Sequence, residues 1–322
     1  MQHYISFGDF LDIYHKVREK SVAYFFKKFK ILPKSRIESK WDAFESTSDF
    51  WLIPEIQQSW NLKISGNPEM IYEDYVFNKY LSDKKDLRML SVGCGEGLHE
   101  RNFAKHFCFS QIDAIDFSNQ SVVNAQRLAI ENNFKINYQS GDFKKIEFKN
   151  NSYDLILFSS SLHHFENVED TLENYVKPLL SENGILVVFE YVGPNRLQWS
   201  KKQLDKANQL LEKLPKKYKL LINNSSKKRK VYKPGIIRMF LVDPSEAIDS
   251  EAIVPGLKSK FKILEQTNLG WNILHILLKG ISHNFLNEEP ETKTLIKNLL
   301  EEEDIFVKLE SHSDAIFGVY QK

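Results

Sequence analysis

Three glycines at alternate positions, directly after a run of strand-forming residues, constrain this chain more than any other feature: Arg88-Met-Leu-Ser-Val-Gly-Cys-Gly-Glu-Gly97. Lacking Cβ atoms, Gly93, Gly95 and Gly97 let the backbone turn sharply at the carboxyl end of a buried strand, so that a ligand can lie against the main chain. A helical stretch follows. About twenty residues further on, a second strand-like run, Ile112-Asp-Ala-Ile-Asp-Phe117, ends in the carboxylate of Asp116. That spacing suits a group that grips both hydroxyls of a ribose. Two strand ends are expected to converge on one nucleoside.

Beyond the glycines the chain alternates strand and helix with short links, the pattern of a parallel sheet covered on both faces. Strands are expected near 88–92, 111–115, 135–139, 153–158 and 184–190. Helices are expected near 97–107, near 119–132 behind Ser118 as N-cap, and near 167–180, ended by Asn183-Gly184. After a long interruption come a strand near 259–266, helices near 271–282 and 291–302, and a last strand, Ala315-Ile-Phe-Gly-Val-Tyr320. The fold class is α/β, a doubly wound Rossmann-like sheet. It divides into a helical N-terminal cap (1–86), a cofactor-binding core (87–192), a basic insertion after the fifth strand that caps the acceptor side (193–257), and a C-terminal completion of the sheet (258–322). The cap is read from its aromatics, Tyr24, Phe25, Phe26, Phe29, Trp41, Phe44, Trp51 and Trp60, some at helical spacing. Core packing is the commoner fate of such a stripe, although Val22, Phe25, Phe26 and Phe29 with lysines between them leave peripheral membrane contact open.

With 322 residues, 42% of them hydrophobic and 13% aromatic, the chain can bury a substantial core, and its composition is that of a globular protein. The first ten residues lack a basic segment followed by an apolar one, and no apolar run reaches membrane-spanning length. A cytoplasmic location with no transmembrane segment is therefore expected. Cys94 and Cys108 are the two cysteines. A bridge through Cys94 would obstruct the glycine turn, so reduced thiols are expected, and a cysteine zinc site is excluded by count. The net charge of +1 conceals a local excess, because residues 201–240 hold thirteen Lys or Arg against two acidic residues. A solvated helix and loop account for that charge as well as attraction of an anionic partner does, whether sugar acid, nucleotide-linked sugar, phospholipid head group or nucleic acid.

Two further motifs follow in order. Gly141-Asp-Phe143 stands after the third strand, and Tyr153-Asp-Leu-Ile-Leu-Phe158 leads into Ser161-Leu-His-His-Phe165. With all four motifs at successive strand ends, residues 88–192 resemble the class I S-adenosylmethionine-dependent methyltransferases. The resemblance implies a seven-stranded sheet with an antiparallel last strand, and S-adenosyl-L-methionine as cofactor. It also implies that Asp142 accepts from the adenine amine and that Phe143 adds a ring edge or a backbone donor. For such a ligand, Gly93, Cys94, Gly95 and Gly97 pass backbone close to the methionine and ribose, and the amides opening the next helix favour the methionine carboxylate. Asp116 takes the ribose hydroxyls, Phe117 flanks the adenine, and Ser159 and Ser160 line the methionine side. One residue departs from the pattern: Ser91 stands where many members carry an acid that helps to organise the methionine end. The segments Phe189-Glu-Tyr-Val-Gly-Pro-Asn-Arg-Leu-Gln-Trp199 and Val242-Asp-Pro-Ser-Glu-Ala-Ile248 resemble a bacterial subgroup linked with polysaccharide and secondary-metabolite pathways.

Methyl transfer is an in-line displacement at an activated carbon, so alignment and exclusion of water matter most, and a base is needed for only some acceptors. His163 and His164, where the fourth strand opens to the active face, are the candidate bases; Glu190 is the orienter or an alternative base, and shaping the loop is the competing role. No metal is expected, since neighbours on an extended segment point apart and no third ligand is evident. Tyr191, Asn195, Arg196, Trp199, Tyr232 and Arg238 are candidates for holding the acceptor, Arg196 as a bidentate partner of an anion. His275 reads as a satisfied core histidine, and His99 and His106 as helix-surface residues. The expected function is O-methylation of a small-molecule or glycan acceptor, an anionic one included. An NAD-dependent oxidoreductase also uses glycines and a distal acid, but Gly141-Asp-Phe143 and Leu162-His-His-Phe165 argue against it. A nucleic-acid methyltransferase or binding module would use the basic insertion; the chain lacks the Asn/Asp-Pro-Pro-Tyr type of segment that many amino-targeting DNA enzymes carry after the fourth strand.

Overall fold

Strands with apolar residues on both faces must be covered on both faces, and that requirement organises the whole sheet. In a computed structural model of the chain, residues 4–6, 8–9, 49–222 and 226–322 are described. Most of the aromatic N-terminal stripe, Val22 to Phe44, lies outside the described residues. Seven strands, β1 (Leu87–Val92), β2 (Phe109–Asp116), β3 (Asn137–Ser140), β4 (Tyr153–Ser159), β5 (Leu180–Tyr191), β6 (Lys262–Gly270) and β7 (Ala315–Gln321), form one sheet in the order β3-β2-β1-β4-β5-β7-β6. β7 runs antiparallel to β5 and β6, whereas the pairs among β1 to β5 are parallel. Leu155, Leu157, Ile185 and Val187 face one layer of the core, and Ile156, Phe158, Leu186 and Val188 face the other. This is the two-residue period of a strand buried on both sides. Strand order reverses between β1 and β4, which opens a crevice at the carboxyl ends of the strands.

The helices are α1 (Pro54–Ser65), α2 (Tyr72–Val76), α3 (Leu98–Ala104), α4 (Asn119–Glu131), α5 (Val168–Asp170), α6 (Lys201–Lys213), α7 (Ile236–Val242), α8 (Ile253–Lys260), α9 (Leu274–Leu278) and α10 (Pro290–Glu310). Ser118 caps α4 as its sequence suggests, its Oγ accepting from the Ser121 amide at 3.0 Å. Ser200 and Gln203 close a reciprocal capping box on α6. Two expected helices are shorter. The one near 167–180 is α5 continued by a π-helical turn to Val176, and β5 already begins at Leu180. Asn183-Gly184 thus lies within a strand, where a Cβ on Gly184 would come within 2.9 Å of the Tyr153 carbonyl. The helix near 271–282 is reduced to α9, because Trp271 takes a left-handed φ of 68° before it and Gly280 one of 77° after it.

Part of the positive charge in residues 201–240 is consumed in packing. Lys202 pairs with Glu310 at 2.9 Å and Lys206 with Glu302 at 2.5 Å, which ties α6 to α10, and Lys217 pairs with Glu289 and Glu291. A second tie runs from α10 to α9. Glu303, buried, accepts from the backbone amides of Asn272 at 2.7 Å, Ile273 at 3.0 Å and Leu274 at 2.7 Å. One carboxylate therefore satisfies three amides where α9 starts, amides that the helix itself leaves without acceptors. Glu303→Ala is expected to lower unfolding stability by about 2–4 kcal/mol in urea denaturation, the scale of stranding several buried donors. A loss below about 0.5 kcal/mol, the level of an ordinary surface change, would show that α9 does not depend on this anchor.

Candidate active site

At the end of β1 the three glycines have different surroundings. All three have positive φ, 77° at Gly93, 53° at Gly95 and 74° at Gly97. A Cβ on Gly93 would stand 2.3 Å from the Ser161 Cβ, and one on Gly97 would stand 2.2 Å from the Tyr138 hydroxyl. At Gly95 it would meet nothing within 4 Å. The outer two glycines thus allow the turn to close against protein, while the middle one faces open space that a ligand can use. Asp116, ending β2, accepts from the Gly95 amide at 2.8 Å with one oxygen and from the Ser118 amide at 2.8 Å with the other. The two strand ends picked out by sequence therefore meet. Phe117 is half-buried beside them.

Other expected cofactor groups are placed unequally. The Cys94 side chain packs behind the turn with Ala114, Val122, Ala125 and Tyr138, and burial pushes its thiol pKa up. Asp142 caps a short 3-10 turn, accepting from the Lys144 amide at 3.2 Å. The Phe143 ring is buried among Phe148, Phe158, Phe165 and Tyr175, so the expected ring edge is not offered to a ligand and only its backbone can serve. Ser91 lacks the acid of the family pattern, yet a carboxylate stands beside it: Glu100 of α3, fully buried, accepts from the Ser91 hydroxyl. Burial raises the Glu100 pKa, and its second oxygen has no hydrogen-bond partner.

Sequence reasoning placed His99 on a helix surface, and the structure corrects this. His99 Nδ1 lies 2.7 Å from the buried carboxylate of Glu73 and Nε2 lies 3.1 Å from the Ser159 hydroxyl, so the imidazole bridges α2 to the tip of β4. Burial works to lower its pKa, but the bond and charge of Glu73 outweigh that effect and raise it. The acid that holds it is 26 residues away in sequence, in a helix ahead of the sheet, and so left no local signal. His106 similarly pairs with Asp74 at 3.0 Å and stacks on Phe77.

His163 and His164 lie on a 3-10 turn, Leu162–His164, rather than on an extended segment. Their rings are consequently 4.1 Å apart instead of pointing apart. His163 Nδ1 is 2.7 Å from one oxygen of Glu190, and the other Glu190 oxygen accepts from the amides of Ser161 and Leu162. Glu190 is fully buried. Ligand atoms of His164, Asp243 and Glu246 lie within 4.8 Å of one another.

A cavity of about 1700 Å³ opens beside these groups, with Ser159, Ser160, His163 and His164 in its wall. Of the expected acceptor residues, Tyr191, Trp199, Tyr232 and Arg238 line it. Asn195 and Arg196 do not, and both corrections have a physical reason. Asn195 Oδ1 accepts from the Glu251 amide at 3.0 Å, and the Arg196 guanidinium is committed to the carbonyls of Pro244 and Glu246 and to the face of Phe240. His275 also lines the cavity, and its Nδ1 has no hydrogen-bond partner among the described residues, contrary to the satisfied core histidine expected. Burial pushes its pKa from 6.5 down to about 3. The folded protein thus excludes a proton that the unfolded chain takes up, so stability present above pH 6.5 is lost as pH falls toward about 3. Between about pH 6.5 and pH 4.5, the parent is expected to lose more stability than His275→Phe in urea melts. Parallel losses would contradict this assignment.

Residues 90–188 match a protein family described as methyltransferase domain. Over 118 residues, the chain is 30% identical to a ubiquinone biosynthesis O-methyltransferase of Rickettsia bellii, covering 36% of this chain and 48% of the relative. It is 27% identical to a malonyl-[acyl-carrier protein] O-methyltransferase of Bacillus cereus, covering 35% and 40%. The chain thus spans about half the length of the curated relatives it matches. Among solved structures, phosphoethanolamine N-methyltransferase 2 of Haemonchus contortus, in complex with S-adenosyl-L-methionine, superposes with a TM-score of 0.50 at 15% identity, covering 89% of this chain and 60% of that one. That likeness is one of fold. Residues 90–188 are thus similar to a methyltransferase domain, and the fold around them is shared with an enzyme solved in complex with S-adenosyl-L-methionine.

Proposed function

We propose that this protein O-methylates a small-molecule or glycan acceptor that carries negative charge. The observation that carries the reading is the shared cavity: His163, anchored by Glu190, lines the same space as the basic stretch Lys227 to Lys233 and Arg238. When bound, S-adenosylmethionine supplies a methyl carbon activated by positive sulfur. Asp116 would hold the ribose hydroxyls, Gly95 would let the ligand approach the turn, and Ser159 and Ser160 would border the methionine. Glu190 orients His163 by accepting at Nδ1, and Nε2, 3.8 Å from a Glu246 oxygen, would take the proton from an acceptor hydroxyl.

The distribution of charge supports a small anion over a nucleic-acid duplex. Lys202, Lys206 and Lys217 pair with acids of α10, Lys228 donates to the carbonyls of Ile276, Leu277 and Lys279, and Arg238 lies 4.0 Å from Asp9, while Lys227, Arg229, Lys230 and Lys233 line the cavity. A pocketed positive field concentrates a small anion, while a duplex needs an extended basic face.

Asp116→Ala is expected to weaken S-adenosylmethionine binding by about tenfold to a hundredfold in calorimetry, as for loss of charge-assisted hydrogen bonds; an unchanged constant would remove Asp116 from the cofactor site. Screening acceptor pools with labelled S-adenosylmethionine identifies a turnover substrate. With it, His163→Asn is expected to lower kcat by about 10²- to 10⁴-fold at unchanged cofactor affinity. Full activity in that variant would rule out His163 as the base.

A further inference from the structure

Part of the cavity wall is built of rings. Phe50 meets Trp60, Trp271 and His275 at centroid distances of 5.5, 5.2 and 5.4 Å, and His275 meets Tyr191 at 5.9 Å and Trp199 at 5.8 Å. Three buried side-chain polar atoms of residues lining this cavity, Ser226 Oγ, Trp271 Nε1 and His275 Nδ1, have no hydrogen-bond partner among the described residues. Proteins seldom leave such atoms unpaired, so their concentration around one space marks it as built for a ligand with polar groups. Trp271 Nε1 can only donate, and a neutral imidazole nitrogen either donates or accepts. A hydroxyl group does both and so suits the two rings, whose centroids are 6.0 Å apart, in either tautomer.

A charge sits on the same cavity. Lys233 is half-buried, and desolvation lowers its pKa with no carboxylate of the described residues opposing it. A cation held out of water without a counter-ion favours an anion from the ligand. Phe50 offers this wall no polar side-chain atom and Trp199 and Trp271 one each, so its polar atoms are spaced by ring carbon. A flat apolar body with one or two polar substituents matches that spacing; a saccharide, with a hydroxyl on nearly every carbon, would have several stranded against rings.

We infer that the acceptor is an aromatic hydroxy acid, its ring seated against Phe50, Trp199 and Trp271, a hydroxyl meeting Trp271 Nε1 and His275 Nδ1, and its acidic group facing Lys233. This rests on the methyltransferase reading for the word acceptor, while the binding itself is tested separately. The probes are 4-hydroxycinnamate, its uncharged amide and glucuronate, titrated by calorimetry and tryptophan fluorescence into protein with and without S-adenosylhomocysteine. The hydroxycinnamate is expected to bind at least about tenfold more tightly than the amide and glucuronate, a difference the size of one charge-assisted contact. Lys233→Met should erase the preference for acid over amide, and Trp271→Phe, which keeps a ring and removes the N–H, should weaken both by about threefold to tenfold. Both variants should bind S-adenosylhomocysteine like the parent, which shows that they are folded. Tighter binding of glucuronate, equal binding of acid and amide, or an undiminished preference in Lys233→Met would overturn the inference. Failure of S-adenosylhomocysteine to bind the parent would strike the methyltransferase reading alone.

Discussion

The site depends on one carboxylate at the end of β2. Asp116 accepts from the Gly95 amide and the Ser118 amide, each at 2.8 Å, and so ties the turn after β1 to the start of α4. The tie is possible only because β1 and β2 are parallel neighbours in register, Val92 opposite Ile115, which brings their carboxyl ends to one edge. Gly95 then faces open space at the point where the strand order reverses. A ligand arriving there can approach the backbone at Gly95 and meets a fixed acid.

Around this edge, buried acids do the positioning. Glu190 fixes the turn that carries His163, Glu73 fixes His99 against Ser159, and Glu303 anchors the amides at the start of α9, behind Trp271 and His275. Each carboxylate comes from an element distant in sequence from the group it holds. The cavity walls are consequently tied to three different parts of the fold, and the two aromatic helical segments ahead of β1 become part of the site instead of an appendage. Glu100 is a further buried acid, nine residues from Ser91, and stands beside it from a helix rather than from the strand.

What could be read from sequence was what depends on local pattern. The order of β1 to β5 follows from apolar runs separated by helical periods, and the meeting of Gly95 with Asp116 follows from their spacing. Residues whose role depends on a distant partner were misread. Arg196 looked like an anion clamp, but its left-handed φ of 57° and the nearby carbonyls of Pro244 and Glu246 turn it into a staple of its own loop. His275 looked like a core residue because it lies in an apolar run, Trp271-Asn-Ile-Leu-His-Ile-Leu-Leu278; only the tertiary fold reveals that this run faces a cavity. The basic run was ambiguous for a related reason. Some of its charges pair with acids of α10 and others line the cavity, which no local pattern records.

The most direct test of the account is a crystal structure of the protein with S-adenosylhomocysteine. It should place both ribose hydroxyls within hydrogen-bonding distance of Asp116 and the sulfur toward the cavity that holds His163. A nucleoside seated elsewhere, or a ribose whose hydroxyls are held by other residues while Asp116 keeps only its backbone partners, would contradict the account.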